Sequence, residues 1–177
     1  STHKTVGITI FFTALLRILW TVAQKRPGLL NAENKMEATA AEIVHWLLYG
    51  SILLVPLTGW LHHASTEGFA PIWWPFGQNL PFIPKSETLA TTTASLHFIL
   101  MLVLIGSLLA HMAGAFKHLL VDRDLTLQRM LPGQKDFPRP PEATHNKAPL
   151  FAAMAIWAIA LGAGTGLGKF SKSSHAE

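Results

Sequence analysis

The sequence predicts an all-α integral membrane bundle with four transmembrane helices. Three observations carry that prediction. Half of the 177 residues are hydrophobic and only 14% are charged, whereas a soluble domain carries about 25% charge. The charges are nearly absent from four long stretches of the chain. Each stretch reaches the ~20 residues that a helix needs to cross ~30 Å of hydrocarbon.

The first apolar segment runs from Thr5 to Gln24 and is interrupted only by Arg17. It has no cleavage signature and carries a charge inside, which argues against a signal peptide. The second runs from Thr39 to His63 and the third from Leu89 to Phe116. Both exceed the minimum, so they tilt or extend beyond the lipid. The fourth runs from Ala148 to Gly168. Residues 134–147 form a linker between the first three helices and the last. The stretch around them holds Pro132, Pro138, Pro140, Pro141 and Pro149, and such proline density makes a stiff spacer. This divides the chain into a membrane body at 1–133, the linker, and an added helix with its tail at 148–177.

Orientation follows from the Lys and Arg count, because cytoplasmic loops carry the excess. The link between the first two helices, together with the stretch after the third, holds ten of them, Arg17 included. The other side holds four: Lys4, Lys85, Lys169 and Lys172. The ten-charge side is therefore expected in the cytoplasm, with both chain ends outside. The outer loop from Ala64 to Thr88 carries four prolines and Trp73, Trp74, Phe76 and Phe82. Such aromatics suit the membrane interface. They serve either as anchors or as a lid over an outer cofactor.

There is no cysteine. That excludes disulfides, thiolate zinc, iron–sulfur clusters and covalent haem attachment. The net charge of +4 sits beside apolar segments and reads as topology. No basic run is interleaved with aromatics as single-strand binding prefers, so no nucleic-acid partner is expected. The run GAGTGLGK at 162–169 evokes a phosphate-binding loop. It lacks the correct glycine spacing, the following Ser or Thr and a preceding strand, and it reads as small residues for helix packing.

Of nine histidines, His145 and His175 lie in polar segments, and His62 and His63 sit at the outer end of the second helix. His45, His97 and His111 fall inside apolar helices. An imidazole placed in lipid is costly and marks a functional site by default, although a hydrogen-bonded structural histidine is the bland alternative. His111 follows His97 by 14 residues, which is ~21 Å along a helix and within ~40° of the same face. His45, entering from the cytoplasmic side, falls near the level of His111. His3, just before the first helix, falls near the level of His97. Two layers of two histidines suit axial ligation of haem iron. Zinc asks for more ligands, and proton relays usually recruit carboxylates. Gly106, Ala110, Ala113 and Gly114 thin the third helix around His111. Arg17 either snorkels to the surface or pairs with a haem propionate or a quinone oxygen.

The runs STHKTVGI, LLRILW at 15–20, EIVHWLLY at 42–49, LHFILMLVLIGSLLAH at 96–111 and KHLLVDRDLTLQRMLPG at 117–133 resemble the bacterial cytochrome b561 family. The pattern D-x-D-x-T-L-x-R-M within the last run is the most specific. The resemblance covers residues 1–133. It implies a dihaem b-type cytochrome of the bacterial inner membrane that passes electrons between quinone and an outer-face partner. Some members resemble quinone-linked superoxide oxidases. The cofactors implied are one or two haem b, with ubiquinone as a further candidate. His3 and His97 would ligate the outer haem, and His111 would hold the inner one. For the partner of His111 two alternatives stand. His45 completes the coordination, or a histidine on the family's first helix does so while His45 stands beside the site. The resemblance begins abruptly at Ser1, just before the family's second helix, which favours the latter. The helix at 148–168 lies outside the family pattern. It supports an alternative reading of the chain as an accessory subunit of a larger respiratory or photosynthetic membrane complex.

Overall fold

The computed structural model describes residues 2–24, 35–68, 73, 80–123 and 147–174. Helix α1 spans Thr2–Ala23, α2 Lys35–Ser65, α3 Glu87–Lys117 and α4 Ala148–Ser174. All four are long and apolar enough to cross a membrane. Each expected segment is found, and three of the four begin a few residues before the expected start. The extra turns are polar residues such as Lys35, Glu37 and Glu87, which prolong a helix past the hydrocarbon without cost to burial. The linker at 134–146 and most of the outer loop lie outside the described residues.

The ends of α3 show how local chemistry sets a boundary. Ser86 sits in an extended conformation and its hydroxyl accepts from the Leu89 amide at 3.4 Å, satisfying one of the orphan donors of the first turn. The Ser86 amide donates to the Ser65 carbonyl at 3.1 Å, tying the end of α2 to the start of α3. At the other end α3 widens into a π-helical turn over His118–Asp122, and Arg123 stops it with a left-handed φ of 52°.

Among the described residues α2 and α3 form the central pair, α1 packs on α2, and α4 packs on both α3 and α2. Small residues let α4 approach. Ala153 and Ala160 are buried. A Cβ at Gly164 would fall 3.1 Å from the Leu96 backbone, and one at Gly168 would fall 3.0 Å from that of Thr92. Within the glycine run at 162–169, Gly164 and Gly168 thus form a packing surface, while Gly162 and Gly166 meet nothing within 4 Å. On α2, Gly50 opens a notch that the Trp157 ring fills, and a Cβ there would run into the indole. The Trp157 ring nitrogen also reaches the Ser51 hydroxyl at 3.5 Å.

Helix α1 meets α2 elsewhere. Gly7 lies against Pro56, and the rings of Phe12 and Trp60 stand 6.2 Å apart. At ~100° per residue, the mean direction of Gly50 and Ser51 lies roughly 150° from that of Pro56 and Trp60. Helices α4 and α1 therefore flank α2 on opposite sides, with α3 between. On α3, Phe98, Leu102, Ile105, Leu109, Met112 and Phe116 form an exposed apolar stripe. In water such a stripe would be a liability; in lipid it is the natural surface.

Candidate haem-ligand site

The histidines gather in two layers along the side of α3 that meets α2, called outer and inner after the orientation that the charge count predicts. In the outer layer α1 supplies His3 and α3 supplies His97. Their ring centroids stand 6.3 Å apart with planes at 88°. His3 is exposed at the outer end of α1, whereas His97 is half-buried. The His97 Nδ1 lies 2.8 Å from the Val55 carbonyl and 3.4 Å from the Thr58 hydroxyl. A carbonyl only accepts, so Nδ1 carries the proton and donates to Val55. The lone pair of His97 is thereby assigned to Nε2.

In the inner layer α2 supplies His45 and α3 supplies His111. Their rings stand 5.2 Å apart at 62°. Both residues are half-buried. Arg17 is exposed, near the inner end of α1.

Haem fits the outer layer on two counts. Metal–imidazole bonds are ~2.0–2.1 Å, so two imidazoles opposed across one iron place their centroids about 6.4 Å apart once the half-width of each ring is added. The outer rings match that separation. A ligating histidine also usually gives its second ring N–H to a carbonyl or carboxylate, and His97 does so to Val55. The inner rings are about 1 Å too close for the same arrangement. The pairing by depth expected from the sequence is found at both levels, but the spacing distinguishes them.

Three residues near these layers carry weak sequence signals. His62 sends Nδ1 to the Ala90 carbonyl at 2.9 Å, joining the outer ends of α2 and α3. Its interfacial position hid that role. His118 pairs with Asp122 at 3.0 Å in the π-helical turn, beside a Lys117 ammonium that bridges Glu37 at 2.8 Å and Asp122 at 2.9 Å. Glu37, His118 and Asp122 lie close enough to hold a metal ion. The ammonium already supplies the positive charge between the two carboxylates, and the group reads as a clasp between the inner ends of α2 and α3. Gly59 lies against the His97 ring. A glycine inside an apolar helix gives no sign of that by itself. On the outer side the Trp73 amide donates to the Thr5 hydroxyl at 3.1 Å. One point of the aromatic loop thus sits two residues along α1 from His3.

Comparison with known proteins identifies the family. A family model described as prokaryotic cytochrome b561 matches residues 1–133. The chain is 31% identical over 133 residues to "Cytochrome b561 homolog 2" of Escherichia coli (strain K12), covering 73% of this chain and 68% of that relative. It is 26% identical over 134 residues to "Probable superoxide oxidase CybB" of Yersinia pestis, covering 75% and 74%. It is 24% identical over 136 residues to "Cytochrome b561 homolog 1" of E. coli, covering 76% and 75%. No solved structure matches the chain. The match takes in α1, α2 and α3 with both histidine layers and leaves α4 outside. The chain belongs to the prokaryotic cytochrome b561 family, as a multi-pass membrane cytochrome of the b type.

Proposed function

We propose that this protein carries electrons between a quinone in the membrane and a partner at the outer face. In this reading His3 and His97 would hold an outer haem b, and His111 would hold an inner one. The observation that carries it is the outer pair: rings 6.3 Å apart, with the His97 Nδ1 proton engaged by Val55. Haem bound there supplies a one-electron iron couple. The protein's own residues do the rest. His97 arrives with its lone pair on Nε2, held by a carbonyl that raises its basicity. Arg17, a cation toward the inner end of α1, offers a partner for a propionate or a quinone oxygen.

The outer partner is open to direct test, and superoxide is the first candidate because one relative's name carries it. A pyridine haemochrome assay on the purified protein gives haem per chain. His97→Ala should lose one haem signal while the protein still inserts. Anaerobically reduced protein should be reoxidised by a soluble ubiquinone analogue. Unchanged haem content in His97→Ala would remove the ligand assignment. Failure of quinone to reoxidise the reduced protein would remove the quinone role alone.

A further inference from the structure

Gly59 and the Val55 carbonyl lie one helical turn apart on the face of α2 that meets the His97 ring. The His97 Nδ1 is fixed at 2.8 Å from Val55. A Cβ built on Gly59 would stand 3.0 Å from Cε1 and 3.2 Å from Nδ1 of the same ring. Those separations are shorter than ordinary carbon contacts of about 3.5–4.0 Å. Both contacts come from the same face of α2. The ring cannot retreat from a side chain at 59 without stretching the bond to Val55. Glycine is otherwise a poor residue for a helix interior, and Pro56 has already cost α2 one backbone hydrogen bond nearby. A steric demand at this point explains its presence.

We propose that Gly59 is a positioning residue: it leaves the space that lets His97 hold its Nδ1–H against the Val55 carbonyl, and it thereby tunes the redox potential of the outer centre. The proposal rests on the ligand assignment for His97 given above. The chemistry follows from the hydrogen bond. A proton shared with a carbonyl raises the electron-donating power of the opposite ring nitrogen. Stronger donation favours ferric over ferrous iron. Weakening the bond removes that bias and raises the midpoint potential. Cε1 is bonded to both ring nitrogens, so a push at that atom moves the donor Nδ1 and the ligating Nε2 together.

The test is redox titration of the purified holoprotein with Gly59→Ala. The variant should retain its full haem content and shift the outer midpoint upward. A tenfold change in the ratio of reduced to oxidised protein at fixed ambient potential corresponds to about 59 mV for a one-electron couple. Its low-spin electron paramagnetic resonance signal should shift as well, since the ring changes orientation. Gly162→Ala is the control. It makes the same chemical change in α4, where nothing lies within 4 Å of the added carbon, and it should move neither quantity. A Gly59→Ala protein with wild-type potential and spectrum overturns the proposal. If that variant does not insert, pulsed electron paramagnetic resonance on the wild type decides. The remote ring nitrogen of His97 should show a protonated, hydrogen-bonded site, and ligation through Nδ1 would overturn the idea. The two readings fail separately. Unchanged haem in His97→Ala removes the ligand itself, whereas haem lost there with no response to Gly59→Ala removes only the positioning role.

Discussion

The rings of His45 and His111 meet at 5.2 Å, edge to face, while those of His3 and His97 stand 6.3 Å apart. Two imidazoles sharing one iron need about 6.4 Å, so the inner pair differs in kind from the outer one. We expect His111→Ala to abolish any low-spin inner haem signal and His45→Ala to shift it without removing it. Electron paramagnetic resonance of the oxidised protein reads both. A high-spin inner haem in His45→Ala would show that the two rings part to bind iron together.

The two proposed outer ligands should also respond differently to loss. His3 is exposed at the end of α1, whereas His97 is half-buried and held by Val55 on α2. Added imidazole should restore a low-spin spectrum to His3→Gly, because solvent reaches the vacated position. It should restore His97→Gly poorly. Equal rescue in the two variants would contradict this asymmetry.

Where α4 meets α2, the Trp157 ring fills the Gly50 notch. Gly50→Ala forces the indole out and should cost about 1–3 kcal/mol, the usual range for overpacking. With Trp157→Ala in the background the added methyl meets open space and its cost should largely vanish. Thermal unfolding in detergent of the four proteins of this cycle measures the coupling, expected at about 0.5–3 kcal/mol for residues in contact. Additive effects would mean that the indole does not occupy the notch.

Orientation gives a fourth expectation. Ten of the 14 Lys and Arg residues fall on one side of the predicted bundle, and that side should be cytoplasmic. A reporter fused after Glu177 should be active only outside. Activity restricted to the cytoplasm would reverse the whole arrangement.

The four helices were legible in the sequence because the bilayer imposes a minimum length and a near absence of charge on each span, and both are properties of consecutive residues. The same holds for the layering of His97 and His111, which one helix places 14 residues apart on nearly the same face. The resemblance at 1–133 was legible for a similar reason, since its strongest pattern is contiguous. Relations between helices were not. Sequence spacing gives depth along an axis but not the distance across a gap, so His3 with His97 and His45 with His111 looked equivalent until their separations were known. The Val55 carbonyl could not be nominated from the sequence, because every residue has one and only packing selects which is reached. Gly59 is silent for the complementary reason: its contribution is the atom it lacks, and that matters only where another helix brings a ring to within 3.0 Å. Tertiary structure alone also put α4 on the side of α2 opposite α1, where an indole meets one missing side chain on α2 and two glycines meet the backbone of α3.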